Sequence, residues 1–249
     1  MSWEREIERA AELIAQAHYV VAFTGAGHST ASGIPDFRSP GSGLWERHNP
    51  MLVASIWGFR LNPKTFYNWI RPMARTMLEA APNPGHIALA QMEQKGYIKS
   101  VITQNIDNLH QKAGSRHVLE LHGHLRAATC IRCYQEFPVN AQLEQDILDG
   151  RIPRCDCGGV LKPNVILFGE QLPIRVLNQA MDEARRCDLM LVAGSSLEVT
   201  PAADIPVLAV DRGAKAIIIN LQPTGFDPQA DVVLHTDLTD ALPRIAQAL

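Results

Sequence analysis

Two close pairs of cysteines are the residues of this sequence best suited to hold a metal ion. Cys130 and Cys133 form a CxxC pair, and Cys155 and Cys157 form a CxC pair that two glycines follow. A tight turn lets both sulfurs of a pair reach one ion at about 2.3 Å, and four thiolates close a tetrahedral zinc shell. The pattern therefore predicts one structural zinc ion. Two disulfides or unligated thiols are the alternative, which a reducing compartment disfavours.

A glycine-rich loop is the second pattern with chemical meaning. Gly25, Ala26 and Gly27 come directly after the apolar run 19–23, and Ser29 lies just beyond them. Such a loop lets the backbone approach a pyrophosphate and present N–H groups at a helix N-terminus. We therefore predict a nucleotide site here, with an ordinary strand-to-helix turn as the alternative.

The nucleotide loop lacks two features of a hydride-transferring dehydrogenase. Such an enzyme needs a third glycine and an acidic residue about 20 positions on, which holds the adenine ribose. This chain has Thr30 and Trp45 at these places. A dehydrogenase of ordinary layout is therefore disfavoured, and a nucleotide bound for another reaction remains.

Polar and small residues also follow the later apolar runs, at the points where predicted strands end. They are Gln104, Asn105, Asp107, His122, Gly169, Glu170, Gly194, Ser195, Ser196 and Asn220, the last of which is followed by the apolar Leu221. In an open parallel sheet these ends share one edge, beyond which the ligand binds. A single histidine is usually structural, but His122 at this edge is placed to act as a base on a hydroxyl group.

The elements that must position these residues alternate along the chain. Apolar runs that predict buried strands are 19–23, 100–103, 165–168, 189–193, 216–219 and 232–234. Helical patterns occupy 3–17, 85–95, 173–186, 201–211 and 237–248. Continuous apolar strands that alternate with amphipathic helices predict an α/β fold with a parallel sheet covered on both faces.

Charge and composition exclude several classes of partner. The net charge is −3 and no basic run is present, so neither nucleic acid nor an anionic membrane is an expected partner, and a nucleic-acid-binding zinc ribbon is disfavoured. No apolar stretch reaches the roughly 18 residues of a membrane helix. The first 20 residues carry scattered charges and do not resemble a targeting peptide, so we expect a cytoplasmic protein.

The ordered set of motifs resembles the sirtuin family, NAD-dependent protein-lysine deacylases, in its bacterial and archaeal form. The motifs are GAGHSTASGIPDFRSPGSGLW, TQNIDNLHQKAG, LHG, CIRC with CDCGG, KPNVILFGE, GSSLEVTPAA and IIIN. The resemblance implies a large Rossmann-like NAD-binding domain formed by 1–40, 84–125 and 160–249. It implies a small domain made of a helical cover, 41–83, and a zinc-ribbon module, 126–159.

The resemblance also implies a reaction in which NAD is consumed as a co-substrate. The acyl group passes to ADP-ribose, and nicotinamide and O-acyl-ADP-ribose are released. The catalytic residues that the resemblance implies are His122, as a general base on a ribose hydroxyl, with Asn105 and Asp107. The NAD-contacting residues that it implies are Gly25, Ala26, Gly27, Ser29, Asp36, Phe37, Arg38, Gln104, Asn105, Asp107, Gly194, Ser195, Ser196, Asn220, Leu221 and Leu238.

The implied partner is an acyl-lysine side chain of a protein or peptide, bound by a chain expected to be a monomer. The residues implied to bind this substrate are Phe37, Tyr67, Ile166, Phe168, Gly169, Glu170, Leu197 and Val199. The peptide backbone is expected to add as a strand between the Gly169 and Leu197 segments, which gives affinity with little sequence preference.

The sequence favours acetyl or another neutral acyl group. Sirtuins that remove succinyl or malonyl groups carry a tyrosine and an arginine three residues apart on a helix, whereas here Tyr67 is followed by Ile70, and Arg71 comes one position later. One helical step rotates a side chain by about 100°, so Arg71 is not expected to replace that arginine. Removal of succinyl or malonyl groups and mono-ADP-ribosylation at the same NAD site remain alternatives. His28 stands where sirtuins usually carry an apolar residue, and it has no interpretation from sequence.

Overall fold

The computed structural model describes residues 3–37, 43–46 and 48–249. The chain forms two compact units. The large unit comprises Met1–Gly33, Ala81–Leu121 and Ile174–Leu249, and the small unit comprises Ile34–Ala80 and His122–Pro173. Among the described residues, no helix is long and apolar enough to cross a membrane.

The elements of the described residues follow in chain order. The strands are β1 Val20–Thr24, β2 Ile98–Thr103, β3 Val118–Glu120, β4 Gly123–Cys130, β5 Glu136–Pro138, β6 Leu161–Val165, β7 Leu189–Ala193, β8 Lys215–Ile219 and β9 Val232–Leu234. The α-helices are α1 Glu4–Gln16, α2 Pro50–Val53, α3 Ile56–Leu61, α4 Pro63–Glu79, α5 Pro84–Gln94, α6 Leu109–Ala113, α7 Ala141–Leu148, α8 Ile174–Arg186, α9 Asp204–Asp211 and α10 Leu238–Ala248.

The large unit is built on a six-stranded sheet in the order β3-β2-β1-β7-β8-β9. All five neighbouring pairs are parallel. The order reverses between β1 and β7, so the loops after these strands flank the switch point at which ligands bind in open parallel sheets. The parallel sheet predicted from the apolar runs is therefore confirmed.

Side chains of the large unit's sheet alternate between two core layers. Val20 and Ala22 pack in the layer that contains residues of α1, α5 and α10. Val21 and Phe23 pack in the layer that contains residues of α8 and α9. Because both faces are covered, every residue of β1 is buried, which explains why the strand reads as an unbroken apolar run.

The small unit contains a three-stranded antiparallel sheet in the order β5-β4-β6. The prediction of a core strand at 165–168 is wrong, because β6 ends at Val165 and pairs with β4. Residues 160–173, placed in the large domain by the sequence prediction, belong to the small unit of the structure. β3 was not predicted as a strand, since it is short, only partly buried and at the sheet edge. A local apolar run indicates a buried strand but not the sheet it joins.

Candidate functional site

The loops after β1 and β7 are in close contact at the switch point of the large unit. A Cβ atom added to Gly25 would lie 2.9 Å from the Gly194 oxygen and 2.9 Å from Ser195 Cβ. Gly194 has a φ of +67°, and a Cβ there would lie 2.3 Å from the His28 nitrogen. The glycines are thus required for one loop to pack against the other, and these contacts form a backbone cradle at the carboxyl edge of the sheet.

The expected helix after Gly27 is absent from the described residues. Two 3₁₀ turns, Ala26–His28 and Thr30–Ser32, follow β1 instead, and Gly33 ends the second with a φ of +84°. The prediction of an α-helix N-terminus here is therefore wrong, whereas the contact of this loop with a pyrophosphate stays a prediction. The two 3₁₀ turns reverse the chain within a few residues, and Ser29 between them is buried.

A buried polar network joins the β1 loop to the segment after β2. The Ser29 hydroxyl donates to Asp107 Oδ2 at 2.7 Å, and Asn105 Nδ2 donates to the Gly25 oxygen at 2.9 Å and to Ser29 Oγ at 3.1 Å. The Leu109 N–H donates to Asp107 Oδ1. Burial raises the pKa of Asp107, while the Leu109 and Ser29 hydrogen bonds oppose that shift. These bonds hold Asn105 and Asp107, two of the predicted site residues, against the β1 loop.

Gln104 connects the β2 end to the β7 loop. Its Nε2 donates to Ser195 Oγ at 2.8 Å, and the Leu197 N–H donates to the same oxygen at 3.3 Å. Leu197 has a φ of 55°, so the chain bends sharply just after Ser195. The structure thus brings together predicted residues from the ends of β1, β2 and β7.

The remaining predicted cofactor residues occupy different environments. Ser196 is exposed, Leu221 is 65% exposed, and Asn220 Nδ2 donates to the Gln222 oxygen at the end of β8. Leu238 is buried in the core at the start of α10. Arg38 lies outside the described residues. The roles of these residues in cofactor binding stay predictions.

His28 belongs to a buried cluster with His86 and His110, whose ring centroids lie 4.5, 5.1 and 4.9 Å apart. The Asn83 N–H donates to His86 Nδ1 at 3.3 Å, so the neutral ring carries its proton on Nε2, which makes that nitrogen a donor rather than a metal ligand. Burial lowers the pKa of His86 to about 4 and that of His110 to about 3. Burial likewise lowers the pKa of His28. The cluster is therefore neutral at pH 7.

Aromatic side chains form a wall in the small unit. The Trp45 ring centroid lies 5.0 Å from Phe37, 5.8 Å from Trp69 and 5.9 Å from Phe168. The backbone N–H of Trp45 donates to the carbonyl oxygen of Phe37, so the backbone of Trp45 lies beside that of Phe37. Phe37 and Phe168, predicted to line an apolar substrate channel, thus meet around a tryptophan that was not predicted as a site residue.

Tyr67 and Arg71 have structural partners within the small unit. Tyr67 is fully buried, and its hydroxyl donates to the Leu161 oxygen at 2.6 Å. Arg71 Nε donates to the Ile147 oxygen near the end of α7 at 2.7 Å. The guanidinium is thus engaged by α7, which supports the prediction that it does not serve an acidic acyl group.

The turn after β6 is held by a partly buried ion pair. Lys162 Nζ lies 3.0 Å from Glu170 Oε2 and donates to the Val165 oxygen at 2.7 Å. The Leu167 N–H donates to Glu170 Oε2. Glu170, predicted as a substrate residue, thus shapes the turn that carries Phe168 and Gly169.

His122 immediately precedes β4 at a closely packed position. Its carbonyl oxygen accepts the Ile166 N–H at 2.8 Å. The next residue, Gly123, has a φ of +74°, and a Cβ there would lie 2.0 Å from the Asn164 oxygen. The backbone around His122 is therefore fixed against the segment that contains Ile166.

The four cysteines form one compact cluster. Cys130 Sγ lies 3.5 Å from Cys157 Sγ, Cys133 Sγ lies 3.6 Å from Cys155 Sγ, and all four sulfurs lie within 4.8 Å of one another. A tetrahedral zinc ion has sulfur–sulfur edges of about 3.8 Å, so the four sulfurs fit one ion. A hydrogen bond from the Cys133 N–H is the largest influence that lowers the pKa of Cys130 to about 6, which favours the thiolate. The predicted four-cysteine cluster is confirmed.

Comparison with known proteins identifies the family. A profile described as the Sir2 family matches residues 25–201. The chain belongs to the Sir2 family. It is 48% identical to an NAD-dependent protein deacylase 2 from Archaeoglobus fulgidus, and the match covers 98% of this chain and 96% of that protein.

Solved structures agree with this assignment. A structure reported under "Structural Basis for the Mechanism and Regulation of Sir2 Enzymes" has a TM-score of 0.93 at 46% identity, with 98% of each chain covered. A Sir2 variant with a deacetylated p53 peptide and 3′-O-acetyl-ADP-ribose has a TM-score of 0.91 at 38% identity, with 97% of each chain covered.

In this Sir2-family protein, several residues support the site from below or beside it, and the sequence pattern did not indicate them. Thr24 Oγ1 bonds to Thr103 Oγ1 and to His110 Nε2, both at 2.8 Å, beneath the strand ends. Lys162 was also missed. A lysine within a short predicted strand is a usable signal, because an ammonium group that is largely buried requires partners.

Proposed function

We propose that this protein is an NAD-dependent protein-lysine deacylase that prefers acetyl or another neutral acyl group. One observation supports this most: the Gly25 and Gly194 loops meet at the switch point of the parallel sheet, with Asn105, Asp107 and Gln104 bonded into that contact. The Archaeoglobus fulgidus relative is named a deacylase, and the Sir2 variant was solved with a deacetylated peptide and an acetylated ADP-ribose.

The residues of the large unit would hold NAD at the carboxyl edge of the sheet. The Gly25 and Gly194 loops offer backbone groups to the phosphates, and the network around Asn105 holds a rigid polar surface for the ribose and nicotinamide side. When bound, NAD supplies a ribose that loses nicotinamide and accepts the acyl group. A preorganised polar site accelerates such charge development because its dipoles need no reorganisation.

The residues of the small unit would hold the acyl-lysine and move one proton. Phe37 and Phe168 provide apolar surface for a neutral acyl chain, while Arg71 is engaged by α7. His122 would take the proton of a ribose hydroxyl as general base, since an imidazole is matched to this task near neutral pH.

The test is mass spectrometry of acetyl-, butyryl- and succinyl-lysine peptides incubated with NAD. We expect unmodified lysine with O-acyl-ADP-ribose, fastest for a neutral acyl group. His122→Ala should lose at least about a hundredfold in rate while its fold and zinc content stay unchanged. His18→Ala, a change at the exposed residue shortly before β1, is the matched control.

A peptide heavier by ADP-ribose would instead indicate mono-ADP-ribosylation, and faster succinyl removal would contradict the neutral preference. Unchanged turnover by His122→Ala would reject the assignment of the base. The cytoplasmic location, the monomeric state and the absence of nucleic-acid partners stay predictions.

A further inference from the structure

An exposed tryptophan lies beside the turn that carries Phe168 and Gly169. Trp57 on α3 is 58% exposed, whereas Phe59 and Phe66 of the same unit are 1% exposed. An isolated exposed apolar residue is common, but a largely exposed tryptophan beside a candidate site is informative, since this residue type dominates binding interfaces.

The Trp57 ring covers one face of Gly169. A Cβ added to Gly169 would lie 2.2 Å from Trp57 Cη2 and 2.4 Å from Trp57 Cζ3, so only glycine leaves room for the ring. Gly169 also has a φ of +86°. The indole and the Gly169 backbone therefore form one continuous surface.

The backbone around this surface is suited to pair with an extended peptide. The Phe168 N–H donates to the Ala54 oxygen and the Phe168 oxygen accepts the Ile56 N–H, so both groups are used. The next residue, Gly169, is exposed, and its backbone has no hydrogen-bond partner within the part of the chain that the structure describes. The N–H and the carbonyl oxygen of Gly169 can therefore pair with the backbone of an extended peptide.

We propose that Trp57 determines specificity for the peptide residue beside the acyl-lysine, and that it favours an apolar or aromatic side chain there. This inference rests on the proposed deacylase function. A peptide that pairs at Gly169 passes the indole, and side chains of an extended strand point alternately to its two faces. A side chain on the Trp57 face gains apolar burial, whereas a small polar one gains little.

The experiment uses the full chain with NAD and two pairs of acetyl-lysine peptides. One pair varies the residue just before the acetyl-lysine and the other pair the residue just after it, and within each pair one peptide carries Phe and the other Ser. At one of these positions, we expect the kcat/KM of the wild type to be about tenfold higher for the Phe peptide than for the Ser peptide. The difference should come from a lower KM. Trp57→Ala should bring that ratio near one by slowing only the Phe peptide, and Trp57→Phe should restore part of it.

Tyr134→Ala, which removes another exposed aromatic of the small unit, is the matched control and should keep the wild-type ratio. An equal loss on both peptides in Trp57→Ala, or a wild-type ratio near one at every position, would overturn the inference while the deacylase function stands. Absence of deacylation of every peptide by wild type would overturn the proposed function and this inference together.

Discussion

Particular glycines of this protein are required because a side chain at these positions would clash with neighbouring atoms, not because the backbone must be flexible there. A Cβ on Gly159 would lie 2.5 Å from Cys130 Sγ and 3.3 Å from Cys157 Sγ. The glycine thus leaves room for two sulfurs of the cysteine cluster. Four thiolates hold zinc only when all of them reach one point, so a methyl group here would disturb the ligand set by displacing a sulfur.

Gly159→Ala should reduce the zinc content well below one ion per chain and lower the melting temperature, because it displaces a ligand sulfur. Zinc is measured by elemental analysis and the melting temperature by circular dichroism. Gly225→Ala is the matched control, since a Cβ there meets nothing within 4 Å. Full zinc occupancy in Gly159→Ala would contradict the assignment of the four cysteines as its ligands.

Helices of the small unit are joined by side chains that reach carbonyl groups at helix ends. Arg71 of α4 donates from Nε to the Ile147 oxygen of α7 and lies close to Gly150, since a Cβ there would be 3.6 Å from its Nη2 atom. A cation that donates to a carbonyl at a helix C-terminus also interacts favourably with the helix dipole. The arginine therefore links two helices.

Arg71→Ala should lower the free energy of unfolding by about 1–2 kcal/mol, because a charged hydrogen bond to α7 is lost. The acetyl-to-succinyl ratio of kcat/KM should stay unchanged. Urea denaturation and peptide kinetics measure the two effects. Arg75→Ala removes an exposed arginine one turn later on α4 and should be nearly neutral. A fall in succinyl turnover alone would show that Arg71 contacts the acyl group.

At the scale of the whole molecule, the buried histidine cluster couples folding to pH. His86 and His110 have pKa values of about 4 and about 3 in the folded protein, against 6.5 for an unperturbed imidazole. The unfolded chain therefore binds protons below pH 6.5 that the folded chain rejects. The free energy of unfolding that these two neutral histidines contribute is fully present above pH 6.5. It is lost progressively as the pH falls from 6.5 toward the folded-state pKa values of about 4 and about 3.

Between pH 7 and pH 5 the free energy of unfolding should fall by about 2 kcal/mol for each of these rings. Urea denaturation at a series of pH values measures this slope. His28→Leu removes one buried imidazole and should reduce the slope by up to the equivalent of one bound proton. His48→Gln, a change at an exposed histidine, is the matched control. A slope that His28→Leu leaves unchanged would contradict a neutral His28.

The family motifs and the ligand set of the metal site could be predicted because they depend on residue types at short spacing. The run 189–193 is apolar throughout, which indicates a strand buried on both faces, and it is β7. The run 165–168 is also apolar, yet only its first residue, Val165, lies in a strand, and that strand belongs to the antiparallel sheet. The partner of a strand depends on contacts distant in sequence, which a local pattern does not contain.

The parallel α/β core, the four clustered cysteines and the polar residues at the strand ends follow from residue types and local periodicity, so they could be predicted from the amino-acid sequence. Three contacts could not be predicted in this way: Gly25 packs against Gly194, Arg71 donates to α7, and Trp57 covers Gly169. Each of these contacts joins segments far apart in the chain. Their geometry follows from how the elements pack, not from the residues next to them.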